Sequence, residues 1–213
     1  MPKITTVSDL LASYQAGERE FQGSQLSRAL LRGLALVDVD LRGANLNGAD
    51  LSEGDLTRAN LSQSYLRGAD LEAVDLEAAD LSGAKLREVI LTGARLYKSR
   101  LQEADLSGAI LRKTNLQEAD LQRACLWGAS LRGAQLQGAN LTGAALCGTN
   151  LWMSDLNQAD LQGANFDKAD LSNADLTTAH LWQAQLAGAY YNHHTRFPVG
   201  FDPEALGMQV LWE

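Results

Sequence analysis

Leucine or phenylalanine occupies every fifth position of the chain from Phe21 to Leu186, without a break in register. Only Phe21 and Phe166 depart from leucine in this series. A period of five matches neither the roughly 3.6-residue period of an amphipathic helix nor the alternation of an ordinary strand. Each five-residue unit must therefore return the chain to an equivalent orientation, which predicts a repeat solenoid.

The other positions of the unit indicate how it bends. We call the leucine the centre of its unit; the residue two before the centre is most often alanine, as at Ala44 and Ala49. Residues two apart in an extended segment point to the same side, so leucine and alanine should both face inward. The residue between them is often Asp or Asn, and the last residue is often glycine, as at Gly43 and Gly48. Because these residues favour turns or tolerate positive φ, each unit is predicted to carry its own bend.

Individual units resemble the consensus Ala-(Asp/Asn)-Leu-X-X of the pentapeptide-repeat family. Examples are Ala49-Asp50-Leu51-Ser52-Glu53, Ala139-Asn140-Leu141-Thr142-Gly143 and Ala169-Asp170-Leu171-Ser172-Asn173. The resemblance covers residues 19–188 and is to members of the cyanobacterial type. It implies an all-β fold, a right-handed quadrilateral parallel β-helix with four units per coil. At about 4.8 Å per coil, about 8.5 coils make a rod roughly 40 Å long.

Charged residues at the Asp/Asn position agree with a coil of twenty residues. Three basic residues stand at this position, and each has an acid twenty residues away: Lys85 has Asp105, Arg95 has Asp75, and Arg100 has Asp80 and Asp120. If residues twenty apart are stacked neighbours, these charges should pair. Like charges at the same spacing also occur, as at Asp50 and Asp70, so the rule is a tendency.

Both ends of the repeat need cover, because a stacked β-helix otherwise exposes strand edges and an open core. Thr6-Val7-Ser8-Asp9 resembles a capping box and predicts a helix over residues 6–16. Residues 192–203 contain two prolines and a glycine within six residues, which predicts that the ladder does not continue there. The predicted division is an N-terminal helical cap over 1–18, the β-helix over 19–188 and a C-terminal cap over 189–213.

Composition favours a non-exported protein. No apolar run approaches the roughly 18 residues of a membrane span, and the N-terminus lacks the pattern of a signal peptide. Cys125 and Cys147 form neither a disulfide framework nor a zinc-ligand spacing. We therefore expect free thiols, a cytoplasmic location and no membrane partner.

Few residues suggest chemistry. His180 stacks over Asp160 at the twenty-residue spacing, but no nucleophile is indicated nearby. The adjacent His193 and His194 lack the helical spacing that would place both rings on one metal. Phosphate-loop and dinucleotide motifs are absent from the sequence, so we expect no enzyme, no cofactor and no metal site.

The net charge of −8 raises one role that the family resemblance implies, a DNA-mimicking inhibitor or protector of DNA gyrase, a type II topoisomerase. The charge is segmented, however: residues 38–80 and 133–188 are acidic, whereas residues 85–132 carry 9 bases and 5 acids. A basic belt between acidic ends is a poor copy of uniformly charged DNA. The DNA mimic is therefore the alternative hypothesis.

The leading hypothesis is a non-catalytic protein-binding scaffold or regulatory interaction protein. It rests on a candidate protein-binding patch of outward apolar residues: Trp127, Cys147, Trp152, Met153, Ile90 and Ile110. The competing interpretation is scattered surface hydrophobes. A second apolar group either folds back as a cap or pairs with another copy in a homodimer: Leu206, Met208, Val210, Leu211 and Trp212. The expected partner is an unidentified protein, with no direct nucleic-acid binding.

Overall fold

A parallel backbone ladder with a spacing of twenty residues organises the protein. The computed structural model describes residues 4–211. From Glu20 onward, the residue before each centre bridges the residue twenty positions later, beginning with Glu20 and Asp40 and continuing to Asp170 and Tyr190. One coil therefore takes four five-residue units, and the chain forms a parallel β-helix.

The unit around Leu141 illustrates the local structure. The Ala144 N–H donates to the Leu141 carbonyl at 2.9 Å and closes a β-turn. Within that turn Gly143 has φ +66°, the left-handed value that a type II turn requires at its third residue. The side chain of Asn140 accepts the Thr142 N–H at 3.1 Å, which is an Asx turn. The Asp/Asn position therefore stabilises the bend by hydrogen bonding, as the sequence predicted.

The left-handed conformation recurs in almost every unit. The second residue after the centre has positive φ throughout the repeat, with Thr178 as the exception. Eighteen of these residues are not glycine, and their φ values lie between 53° and 61°. Such a conformation costs an L-residue roughly 1 to 2 kcal/mol, which explains the many glycines at this position.

The interior is filled from two inward positions of each unit. The leucine centres from Leu26 to Leu176 are buried, with exposed fractions of 2% or less, and the alanines two before them are mostly buried as well. Serine replaces alanine at Ser64 and Ser99, and each hydroxyl donates to the carbonyl three residues earlier, at 2.6 and 2.8 Å. These polar substitutions are therefore tolerated because the buried hydroxyl keeps a partner.

Two of the three predicted charge pairs form. Arg95 lies 3.4 Å from Asp75, and Arg100 lies 3.5 Å from Asp80. The prediction that Lys85 forms an ion pair with Asp105 was wrong. The two residues are in register, but Arg87 is the cation near Asp105, at 4.0 Å. Arg87 follows its centre and reaches Asp105 from the turn, so it competes with the stacked lysine for the same carboxylate.

The predicted N-terminal helix is present as α1, Val7–Gln15. Thr6 is its N-cap, and the Thr6 hydroxyl accepts the Asp9 N–H at 3.1 Å. Leu10 is fully buried in the core, and the Tyr14 hydroxyl donates to the Val37 carbonyl at 3.0 Å. Within residues 4–211 no helix is long and apolar enough to cross a membrane.

The C-terminal segment continues the ladder further than predicted. Arg196 bridges Asp175 after a one-residue insertion, and strand β1, Tyr190–Tyr191, pairs in parallel with β2, Gln209–Val210. The prediction that the prolines exclude a continued ladder was therefore wrong. Pro198 and Pro203 fall between the paired residues, where no ladder N–H is required.

Adjacent alanines provide a direct test of the left-handed turn position. Ala78 has φ +56° and is exposed, whereas Ala79 is a buried inward residue. Ala78→Gly should raise the free energy of unfolding by about 0.5 kcal/mol, because relief of the left-handed strain exceeds the entropic cost of glycine. Ala79→Gly should lower it by about 1 to 2 kcal/mol, through the lost methyl and the added chain entropy. Urea unfolding followed by circular dichroism measures both; equal losses would contradict the assignment of strain.

Asp175 should make the structure sensitive to acid. Burial raises the pKa of this carboxyl, but hydrogen bonds from Thr177, Asn157 and Arg196 outweigh burial and lower the pKa to about 2, from an ordinary 3.8. Because the folded pKa is the lower one, the carboxylate stabilises the fold above about pH 4 and loses that contribution as the pH falls toward 2.

The acid sensitivity can be measured with two asparagine variants. Between pH 5 and 2 the wild type should lose about 1 kcal/mol more unfolding free energy than Asp175→Asn. Asp70→Asn is the matched control, since Asp70 accepts the Glu72 N–H at 3.0 Å but has no ion pair among residues 4–211. Identical acid profiles for the wild type and Asp175→Asn would refute the role of this carboxylate.

Candidate protein-binding surface

The first part of the predicted patch lies at one corner of the coil. Trp127 and Cys147 each follow a centre, and the Gly128 N–H donates to the Cys147 carbonyl at 3.0 Å, so the two residues lie on successive coils. Trp127 is 60% exposed, whereas Cys147 is half-buried. The indole is thus the accessible apolar group at this corner.

The two isoleucines lie on the face that follows this corner. Ile90 and Ile110 bridge each other directly, and the same ladder continues to Ser130 and Asn150. Ile110 is 37% exposed and Ile90 is half-buried. Both side chains are therefore on the outer surface, as predicted, but the ladder becomes polar on the coils that carry the tryptophans.

Trp152 and Met153 occupy the corner at the far end of this face. They line an open groove of about 530 Å³ with Arg112, Lys113, Arg132 and Gly133. The Arg132 guanidinium lies over the Trp152 ring, 4.6 Å from the ring centroid. This is a cation–π contact, and Met153 in the same groove is 54% exposed.

The structure therefore places the six predicted residues as three neighbouring pairs around one face. Trp127 and Met153 are the most exposed of them. The sequence missed the three cations beside Trp152, because their position there depends on which turn residues stack from coil to coil. The patch as a binding site remains a prediction.

Trp182 is a further exposed aromatic residue that sequence reasoning missed. Its side chain is 65% exposed, and its carbonyl accepts the Gly163 N–H at 3.0 Å, which places it on a different corner from Trp127 and Trp152. The sequence does indicate this residue, since tryptophan follows a centre only at Trp127, Trp152 and Trp182.

The second apolar group divides between the core and the surface. Met208 is buried in the core, and Val210 is half-buried within β2. Leu206 and Leu211 remain 46% and 40% exposed. Met208 thus folds back on its own chain, while Trp212 lies outside the described residues.

Two of the three histidines are adjacent in the C-terminal segment, and the third lies on an outer ladder. His180 bridges Asp160 in register and is exposed. The His193 and His194 rings are 3.8 Å apart between centroids. Across residues 4–211, no group of three or more His, Cys, Asp or Glu side chains is placed to hold a metal ion.

Comparison with known proteins identifies the repeat. The family model described as pentapeptide repeats matches in eight copies, over residues 24–152 and 154–190. HetL, a pentapeptide repeat protein involved in heterocyst differentiation regulation from the cyanobacterium Nostoc sp. strain PCC 7120, is 35% identical. The match covers 87% of this chain and 94% of HetL, with a TM-score of 0.65.

A more distant structural match shows the fold alone. QnrB1, a plasmid-mediated fluoroquinolone resistance protein, is 17% identical in its full-length form; the match covers 90% of this chain and 91% of that one, with a TM-score of 0.54. Proteins of this family and these neighbours are right-handed β-helices. The search of curated proteins found no match.

Proposed function

Because the chain belongs to the pentapeptide-repeat family, we propose that it is a non-catalytic, regulatory protein-binding scaffold built on a rigid β-helix. The similarity to HetL supports this proposal, since that protein is involved in regulating differentiation. The free thiols of Cys125 and Cys147 favour a location in the reducing cytoplasm.

The observation that carries the proposal is the exposure of Trp127 at one corner of a face and of Met153, which lines the Trp152 groove, at the next corner. Tryptophan, methionine and arginine are enriched at protein interfaces, and buried aromatic anchors often contribute about 2 kcal/mol or more to binding. A rod whose interior is filled by leucine presents such anchors only from its outer positions. The side of the rod around these two corners is therefore the proposed contact surface.

We also propose that the β-helix is covered at both ends. It is a quadrilateral β-helix of about 8.5 coils, with α1 covering one end and residues 189–211 covering the other. Burial of Leu10 and Met208 against the core supports the two caps. Pairing with a second copy through Leu206 and Leu211 is the alternative use of the C-terminal end.

Removal of the apolar anchors should abolish partner binding. The triple variant Trp127→Gln, Trp152→Gln and Met153→Gln should recover at least about tenfold less partner from an extract of the native host, because the buried anchor area is lost. Affinity purification with quantitative mass spectrometry measures this recovery. The melting temperature should change little, since all three side chains lie outside the leucine core.

Trp182→Gln is the matched control for this experiment. It removes an equally exposed indole from another corner and should leave recovery of the partner unchanged. Equal recovery of every protein by the wild type and the triple variant would exclude this surface as the binding site.

A DNA-mimicking action on DNA gyrase is the second candidate. The net charge of −8 and the fold similarity to QnrB1 favour it, whereas the basic belt over residues 85–132 opposes it. We expect no effect of the protein at micromolar concentration on gyrase supercoiling, with or without a quinolone. Inhibition, or protection from the quinolone, would favour this candidate over the scaffold.

A further inference from the structure

Three cations without an acidic partner surround the Trp152 groove. Among residues 4–211, Arg112, Lys113 and Arg132 have no carboxylate within 4.0 Å. Most other arginines of the repeat do have such a partner; Arg58, for example, lies 2.7 Å from Asp38. The groove therefore concentrates positive charge that the protein itself does not neutralise.

The cations are stacked on successive coils rather than scattered. The Lys113 N–H donates to the Arg132 carbonyl at 3.0 Å, and the Gly133 N–H donates to the Trp152 carbonyl at 2.9 Å. The contact with the Trp152 ring favours one orientation of the Arg132 guanidinium, which reduces the entropy that a ligand must remove on binding. Trp152 and Met153 supply an apolar wall beside these charges.

The charge pattern along the rod favours a short anionic ligand. The basic belt over residues 85–132 is bounded by the acidic segments 38–80 and 133–188. At about 4.8 Å per coil, the belt is only roughly 12 Å long. A nucleic-acid strand would extend beyond it and meet the acidic segments, whereas about four residues of extended peptide would fit within it.

We infer that the groove binds an acidic peptide segment of a partner protein. Carboxylates of the segment pair with Arg112, Lys113 and Arg132, and one apolar side chain packs against Trp152 and Met153. Charge-assisted pairs to arginine are strong and directional, and the apolar contact adds affinity that salt does not screen. This inference rests on the proposed scaffold function and specifies the chemistry of its partner.

Fluorescence anisotropy with a labelled four-residue peptide, Asp-Phe-Asp-Glu, tests the inference on the 213-residue chain. We expect saturable binding with a Kd on the order of 10–100 μM, weakened several-fold as the salt rises from about 0.05 to 0.5 M. The variant Arg112→Gln, Lys113→Gln and Arg132→Gln should bind at least about tenfold more weakly. Trp152→Gln with Met153→Gln should also weaken binding.

The matched control neutralises three other cations of the same belt. This control variant carries Lys85→Gln, Arg87→Gln and Arg123→Gln together. It changes the net charge by the same amount, but at other corners and faces, so it should bind the peptide like the wild type. Equal weakening by both neutralised variants would overturn the inference, because binding would then reflect only net charge. No binding of the peptide up to about 1 mM would also overturn it.

A single-stranded oligothymidylate of ~12 nucleotides provides the competing ligand. Binding that is tighter than that of the peptide, and that is lost in the groove variant, would assign the groove to nucleic acid and overturn the inference. The scaffold proposal has a separate readout. If the peptide fails but the Trp127, Trp152 and Met153 variant still loses its cellular partner, only the acidic chemistry of that partner is refuted.

Discussion

Parallel backbone hydrogen bonds between successive coils are the interaction on which the rest of this structure depends. The Leu141 N–H donates to the Asp160 carbonyl at 2.7 Å, the Gly143 N–H donates to Gln162, and the Asp160 N–H donates back to Ala139. This ladder can repeat only if every unit turns by the same amount after five residues. The left-handed turn residue, the Asx hydrogen bond and the buried leucine are three parts of that one requirement.

This requirement restricts where function can lie. Two positions of each unit face a filled interior, and the backbone polar groups are largely used within the ladder and the turns. Only the residue before the centre and the two turn residues face solvent. A repeat of this regularity therefore offers long outer columns for recognition, and it is in these columns that Trp127, Met153 and Trp182 stand out.

The charges of the protein divide into those that form turns and ion pairs and those that are left without a partner on the surface. Acids such as Asp50 and Asp70 accept turn N–H groups at 3.0 Å, so much of the net charge of −8 belongs to the bends. Most arginines are compensated by acids on the same or neighbouring coils. Because the acids have a local role and most bases have partners, the uncompensated Arg112, Lys113 and Arg132 beside an exposed tryptophan are the distinctive surface feature.

From the sequence alone, the five-residue period predicted a solenoid with inward leucine and alanine columns, and the resemblance to the pentapeptide-repeat family implied the β-helix and its coil of twenty residues. The columns that hold the candidate patch follow from that coil. The period could predict the solenoid because each unit is specified by local turn chemistry, which acts without regard to distant residues. Only the tertiary structure decided that Arg87 rather than Lys85 approaches Asp105, that the ladder resumes at Arg196 and β2, and that three cations border the Trp152 groove. These outcomes depend on side-chain reach across coils and on where an insertion is absorbed, and a periodic pattern contains neither.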